Sequence, residues 1–140
     1  YNGDMPQPDK PSTVCHELSH LKGFMREDEA NFIAYLACRA LDSAAFRYSG
    51  ALLAYIYSGN ALYRENPERM IAIRKKLCAR AEADLAEHNR YWKSFAGKVA
   101  DISDKMNDTY LRANSQKGGV KSYGRMVDLL LAERRRKTDE

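Results

Sequence analysis

Two of the chain's three histidines lie near its N-terminal end, in the segment His16-Glu17-Leu18-Ser19-His20. On an α-helix, residues four apart share one face and lie about one turn from each other. His16 and His20 can therefore bind the same Zn²⁺, and Glu17 can hold a water molecule beside that ion. A zinc hydrolase requires this set of groups: two neutral imidazoles, a neighbouring carboxylate and an open position for water. The segment therefore predicts a zinc site with hydrolytic chemistry.

A third protein ligand must come from farther along the chain, because such zinc sites are tetrahedral and a carboxylate commonly completes the set. Gly23 lies three residues after His20, where a helix can end with a residue in the left-handed region. The chain can then reverse and carry the first turn of a second helix past the metal. Glu27 and Glu29 are the candidate ligands in that turn. Because they point in different directions on a helix, at most one of them is expected to bind the ion.

The histidine segment, followed by Glu27-Asp28-Glu29-Ala30-Asn31-Phe32, resembles the gluzincin clan of zinc metallopeptidases. In that clan the third ligand is a Glu that is followed four residues later by Asp or Asn. The resemblance therefore implies that Glu27 is the third ligand and that Asn31 orients a histidine from outside the coordination shell. Glu29 would then be a neighbour of the site rather than a ligand. The resemblance also implies one Zn²⁺ per chain and a peptide or protein substrate.

A longer resemblance runs from Val14 to Cys38 and returns at Asn107-Asp108-Thr109-Tyr110-Leu111 and Ser122-Tyr123-Gly124-Arg125. These segments are similar to a bacterial family of membrane-anchored proteins that are proposed zinc peptidases, domain-of-unknown-function family 3810. The resemblance implies that the parent protein resides at the bacterial cell membrane. Such proteins carry membrane-spanning helices before the metal motif, whereas this chain has no apolar run of the roughly 18 residues that a spanning helix needs. We therefore expect a soluble fragment, attached to the membrane only through a missing N-terminal anchor.

The expected reaction is the hydrolysis of a peptide bond, with zinc held by His16, His20 and Glu27. Such an ion lowers the pKa of a bound water towards about 7 and polarises the amide carbonyl. Glu17 is expected to act as the general base and then to pass the proton to the leaving amine. A further donor normally stabilises the oxyanion. The candidates for that donor are Tyr48, His88, Tyr123 and Arg125, with Tyr123 preferred because it follows a glycine-containing loop.

The way in which a substrate would be aligned does not follow from the sequence. Zinc endopeptidases usually place an extended peptide against a strand edge, whose main chain supplies hydrogen bonds. Strand patterning is absent here, so either residues 1–11 or the missing N-terminal part of the protein is expected to supply that edge. The fragment by itself can therefore bind zinc and still be inactive.

Two other functions are compatible with the same residues. The first is a non-catalytic helical domain with a structural or regulatory zinc site, closed by Asp28 or Glu29 as a fourth ligand. The second is a helical protein-interaction module that presents a tyrosine-rich helix to a partner; its tyrosines are Tyr48, Tyr55, Tyr57 and Tyr63. An open coordination position would favour hydrolysis, a closed one would favour the structural site, and a failure to bind zinc would leave the interaction module.

Apolar residues recur at helical rather than strand spacing, and 140 residues suit one domain. We therefore predict an all-α fold of about six helices, with an irregular lead-in over residues 1–11, a helical domain over 12–136 and a polar tail over 137–140. Ser12 or Thr13 is expected to cap the first helix, Asp42 or Ser43 the third, and Asn66 the fourth. The helices are expected over 12–23, 26–41, 43–64 and 67–81, then around 85–95 with a continuation over 99–111, and over 120–135. The last is expected to bury Met126, Val127, Leu129, Leu130 and Leu131.

The net charge of +4 is mild, and much of it resides in Arg134-Arg135-Arg136-Lys137. Cations are favoured near a helix C-terminus, and no aromatic residues interleave with these, so we expect no nucleic-acid partner. The three cysteines are odd in number and far apart, which does not suggest a disulfide framework and weakly favours a reducing compartment. Cys15 adjoins His16 but points about 100° away from it on a helix, and is expected to be buried as an apolar residue.

Overall fold

A computed structural model describes residues 4–95 and 124–138 of the chain. Within these residues the secondary structure is helical and contains no strand, which confirms the predicted all-α class. A 3₁₀ turn at Gln7–Asp9 precedes six α-helices. The helices are α1 (Lys10–Leu21), α2 (Glu27–Ala40), α3 (Ala44–Glu65), α4 (Pro67–Arg74), α5 (Ala79–Phe95) and α6 (Arg125–Thr138).

The reversal between α1 and α2 is formed by Gly23, whose φ of 97° places it in the left-handed region, as predicted. The Gly23 N–H donates to the carbonyl of His20 at 2.9 Å, and the Phe24 N–H donates to the carbonyl of Ser19 at 3.2 Å. These two bonds form a Schellman motif, which satisfies carbonyls that the end of a helix would otherwise leave unpaired. The turn aligns α1 and α2 side by side, so that Glu27 begins α2 beside the last turns of α1.

Small residues on α2 allow close packing between α1, α2 and α3. Ala30, Ala34 and Cys38 follow one another at intervals of four residues and are fully buried. Cys15 packs against Ala34 and Cys38 in the core, which confirms that it is an apolar core residue. On α3, Gly50 faces this stripe so closely that an added Cβ would lie 2.7 Å from Cys38 Cβ. The three helices therefore form a tightly packed layer that positions the histidine segment.

The start of α1 differs from the prediction. The helix begins at Lys10 rather than at Ser12, and part of the expected irregular lead-in forms the 3₁₀ turn at Gln7–Asp9. The hydroxyls of Ser12 and Thr13 donate back to the Asp9 carbonyl at 3.1 and 2.9 Å, so neither caps the helix as predicted. A proline in the first helical turn is compatible with this earlier start, because the first N–H groups of a helix have no intrahelical acceptor.

The structure tests three further boundary predictions. Asn66 caps α4 as predicted, since its Oδ1 accepts from the Arg69 N–H at 2.9 Å. The helix ends at Arg74 rather than near residue 81, and α5 begins at Ala79. Ser43 is the residue before α3, but its side chain makes no capping hydrogen bond.

Polar side chains attach α5 to the other helices. Tyr48 on α3 donates its hydroxyl proton to Asp84 Oδ2 at 2.7 Å, and Arg74 on α4 binds Glu82. His88 pairs with Asp9 at the start of the chain. These contacts hold α5 beside α3 and leave open space between the two helices.

The last described helix, α6, covers α2 and α3. Met126 is completely buried, as predicted, whereas Leu131 is half exposed and does not join the core as expected. The predicted helix over 99–111 and the start of the predicted helix at 120 lie outside the described residues. No helix within residues 4–95 and 124–138 combines the length and apolar character needed to cross a membrane.

Candidate metal centre

His16, His20 and Glu27 bring three potential metal-binding atoms together. His16 Nε2 lies 3.0 Å from His20 Nε2 and 3.3 Å from Glu27 Oε2. His20 Nε2 lies 3.5 Å from Glu27 Oε1. In a tetrahedral zinc site with bonds of about 2.0–2.2 Å, ligand atoms are about 3.3–3.6 Å apart. The observed separations are close to those of three ligands of one zinc ion.

The fold of the α1–α2 hairpin produces this convergence. His16 and His20 lie one turn apart on α1, and the turn at Gly23 returns the chain so that Glu27, the first residue of α2, faces both. The three side chains are between 17% and 25% exposed, which leaves the site partly open to solvent. A small ligand can therefore reach the donor atoms.

The hydrogen bond of His20 sets its tautomer. His20 Nδ1 lies 2.7 Å from the carbonyl oxygen of Phe24, an atom that can only accept, so Nδ1 carries the proton. In the neutral ring Nε2 then has a lone pair available for a metal. A backbone carbonyl behind the outer ring nitrogen is a common arrangement for metal-binding histidines. The turn that ends α1 thus also orients a candidate ligand.

His16 has a less complete environment. Its Nδ1 is buried and has no hydrogen-bond partner among the described residues, which costs about 1–3 kcal/mol for a polar group. Asn31, predicted to orient a histidine, is buried and is among the polar groups that raise the pKa of His16. Its Nδ2, however, donates to the Tyr57 hydroxyl at 3.0 Å. The orienting role of Asn31 therefore stays a prediction.

The charges of the site are mutually dependent in the metal-free chain. Burial lowers the pKa of His16, but the hydrogen bond and charge of Glu27 outweigh it, so the pKa of His16 is raised. The pKa of Glu27 is lowered, chiefly by its hydrogen bond to His16, with burial opposing and His20 assisting. The protonated form of His16 is thus favoured beside the ionised form of Glu27.

A cavity of about 520 Å³ adjoins these residues and is lined by His16, Glu17 and Glu27. Its volume lies in the range that small-ligand sites occupy. Glu17, the predicted general base, has an exposed side chain on the rim of this cavity. The residue predicted to hold water therefore lines the same cavity as two of the three donors.

The structure adds a second polar pair to the same cavity. His88 Nδ1 lies 2.8 Å from Asp9 Oδ2, and both residues line the cavity. Sequence reasoning named His88 as one of four oxyanion donors but did not name Asp9, because the two residues are 79 positions apart. Only a tertiary contact could have revealed this pair.

The other sequence candidates lie elsewhere. Arg26 holds Asp28 through two bonds of 2.8 and 3.2 Å and approaches Glu29 at 3.4 Å, so neither acid belongs to the donor cluster. Tyr48 is bound to Asp84 and, like Arg125, does not line the cavity. Tyr123, the preferred oxyanion donor, lies outside the described residues.

Comparison with known proteins adds a family to this geometry. Residues 1–131 match the family model described as Protein of unknown function (DUF3810). The chain belongs to this family. No curated protein and no solved structure matches the chain. Membership in DUF3810 confirms the family resemblance seen in the sequence, while the gluzincin assignment and the zinc chemistry remain predictions for this member.

Proposed function

We propose that this DUF3810 member is a zinc-dependent metallopeptidase. The observation that carries the proposal is the convergence of His16, His20 and Glu27. The two Nε2 atoms are 3.0 Å apart, and they lie 3.3 Å from Glu27 Oε2 and 3.5 Å from Glu27 Oε1, respectively. Two imidazoles and one carboxylate are the donor set of several zinc hydrolases, in which the fourth position is left to water or substrate. The hydrogen bond from His20 to Phe24 supports the same assignment, because it leaves Nε2 free to coordinate.

In this proposal, His16, His20 and Glu27 hold the ion, and Glu17 moves the proton. A bound Zn²⁺ would activate water and polarise the carbonyl of the scissile amide. Glu17, on the rim of the adjoining cavity, accepts the proton of the attacking water and delivers it to the leaving nitrogen. The carboxylate suits this role because it is exposed and is not one of the three converging donors.

His88 is the proposed donor to the oxyanion. Asp9 accepts the Nδ1 proton of His88 at 2.8 Å and so fixes the orientation of the ring. Nε2 is then the ring nitrogen available to a ligand in the cavity, and it donates when the ring is protonated. Of the oxyanion candidates named from the sequence, His88 is favoured because it lines the same cavity as Glu17.

The alternative of a closed structural zinc site is less well supported. A structural site would require a fourth protein ligand, and Asp28 and Glu29 were the candidates. Both contact Arg26 instead, and Asp28 is only 1% exposed. Within residues 4–95 and 124–138, the donor cluster contains three residues. The open side of this cluster faces a cavity, which is the arrangement that hydrolysis needs.

The family resemblance also suggests a location. We propose that the parent protein resides at the bacterial membrane and acts on peptide or protein substrates there. The proposal draws on the likeness to membrane-anchored proteins and not on the structure. None of the described helices is suited to span a membrane.

The test begins with metal analysis of protein purified without chelators, where one zinc per chain is expected. Hydrolysis of a quenched-fluorescence peptide library is then compared between the native chain and Glu17→Gln. The variant should retain zinc and lose about 10²- to 10⁴-fold in rate, because general-base catalysis contributes an effect of that size. Glu29→Gln is the matched control and should retain both properties. A Glu17→Gln protein with full activity would show that the mechanism is wrong.

A further inference from the structure

The metal-proximal cavity adjoins a second cavity between α3, α4 and α5. The second cavity has a volume of about 300 Å³ and shares Ile56, Asn60 and His88 with the first. We call the two together the α3–α5 groove. It begins at His16 and Glu27 and ends beside Asn89, one residue beyond His88 on α5. Its two parts can accommodate a ligand longer than a single amino acid.

The groove has both apolar and polar walls. At the metal-proximal end, apolar walls are formed by Leu53, Ile56 and Trp92. Asn60, which lines both cavities, and Asn89, which lines the far one, present amide side chains that are exposed and form no hydrogen bond within the described part of the chain. An amide side chain can donate and accept at once. The groove therefore combines an apolar compartment with unpaired amides.

We propose that the α3–α5 groove binds a polypeptide in an extended conformation. A large apolar side chain of this polypeptide occupies the compartment beside Trp92, and its main-chain amides pair with Asn60 and Asn89. This inference rests on the proposed function and specifies its substrate. It also assigns to two helices the hydrogen bonding that zinc endopeptidases usually obtain from a strand edge.

The charges of the far cavity favour a peptide over a phosphorylated or acidic ligand. Arg74 is the cation in the lining, and its Nε and Nη2 each donate to the Glu82 carboxylate at 3.1 Å. A guanidinium that is already engaged by a carboxylate in this way offers little to a second anion. The uncharged amides of Asn60 and Asn89 match the uncharged amides of a peptide backbone.

Trp92 provides a direct probe, because it is the chain's single tryptophan and lines the groove. The intact chain is titrated with an N-acetylated, C-amidated peptide that contains a central Phe, and Trp92 fluorescence is recorded. The titration is carried out with excess chelator and again with zinc and the Glu17→Gln variant, so that no hydrolysis interferes. Saturable binding is expected in both conditions. Replacing the Phe by Ser should weaken it at least tenfold, because the apolar compartment loses its occupant.

Asn60→Ala and Asn89→Ala are the decisive variants. Each should weaken binding about 3- to 10-fold through the loss of hydrogen bonds. Both residues are exposed on helices, and alanine is a strong helix former, so folding should be retained. Arg90→Ala, also exposed on α5 and absent from the lining of the groove, is the control and should leave binding unchanged.

The outcomes separate this proposal from the peptidase itself. Peptide binding that is sensitive to Asn60 and Asn89, in a chain that neither holds zinc nor hydrolyses peptides, would support the groove and refute the peptidase. Zinc-dependent hydrolysis with a KM that neither variant changes would support the peptidase and refute the groove. Absence of peptide binding, or equal binding of a fatty acid that is insensitive to the two variants, would overturn the groove.

Discussion

Replacing Glu27 by Gln tests the donor cluster directly. The change removes the carboxylate that lies 3.3 Å from His16 Nε2 and 3.5 Å from His20 Nε2 while preserving the side-chain shape. Glu29→Gln is the matched control, because Glu29 is two residues away on the same helix but faces Arg26. If Glu27 is the third ligand, only the first change should affect zinc binding.

The size of the effect follows from the linkage between binding and folding. Zinc at 100 times its dissociation constant adds about 2.7 kcal/mol to the free energy of unfolding. With an unfolding entropy of about 2.1 cal/mol/K per residue, a chain of 140 residues then gains about 9 °C in Tm. Loss of contacts outside the coordination shell alone costs 10- to 100-fold in affinity, so the loss of a direct ligand should cost at least 100-fold. At the same zinc concentration, the gain for Glu27→Gln should fall to about 1 °C or less.

The assay is thermal unfolding by circular dichroism, with each variant compared with itself in the presence of zinc and of chelator. This comparison removes the effect of Glu27→Gln on the metal-free protein, where the contact with His16 is also lost. The native chain and Glu29→Gln should each gain about 9 °C. A Glu27→Gln protein that gains as much as the native chain would refute the donor assignment, and a loss confined to Glu29→Gln would transfer the role to Glu29.

Three further predictions concern the metal-free chain. Because the pKa of His16 is raised, its pairing with Glu27 stabilises the fold below about pH 6.5, and this stabilisation is progressively lost as pH rises. Because the pKa of Glu27 is lowered, the same pairing stabilises the fold above about pH 4.5 and is lost as pH falls. Glu27→Gln should therefore lower Tm most between these two values, as measured by a pH series of thermal melts in chelator. Gly50→Ala should cost about 1–3 kcal/mol in denaturant unfolding, because the new Cβ would lie 2.7 Å from Cys38 Cβ. With a thiol-specific reagent, Cys78 should react rapidly and the other two cysteines only on unfolding, since they are buried and burial raises the pKa of Cys38 to about 12.

Each of these has a specific control. Gly59→Ala should be milder than Gly50→Ala, because its Cβ would meet the flexible end of Met70. Cys78→Ser should abolish the rapid thiol reaction. Persistence of that reaction would show that Cys15 or Cys38 is accessible to the reagent. A difference in Tm between native and Glu27→Gln protein that is independent of pH would show that the carboxylate does not pair with His16.

Local patterns in the sequence predicted the features that depend on near neighbours. Residues four apart on a helix share a face, so the sequence alone could place His16 and His20 together. Gly23 was recognisable as a helix end because only glycine enters the left-handed region readily. The cap at Asn66 was also predictable, because its side chain accepts from an N–H only three residues farther along the chain. The start of α1 was not predictable in this way, because the Ser12 N–H donates to the hydroxyl of Ser49 on α3, a residue distant in the sequence.

The choice among acidic residues depended on packing. Glu27, Asp28 and Glu29 are adjacent, and spacing alone permitted either glutamate to face the histidines. In the tertiary structure Glu27 faces α1, whereas the other two acidic residues contact Arg26. Burial of the small residues of α2 against its neighbours fixes how the helix is rotated. Glu29 lies two residues, or about 200°, around the helix from Glu27, so a different rotation of α2 would have presented the other glutamate to α1.

By itself the sequence determined that the chain is helical, that two histidines share a helix face, and that an acidic turn follows them. Only the tertiary structure decided which acid meets the histidines, that Asp9 pairs with His88 across 79 residues, and that two adjoining cavities lie between α3 and α5. Helical periodicity and turn chemistry act over a few residues and can be read from the chain. The meeting of distant side chains depends on how whole helices pack, which no short segment specifies.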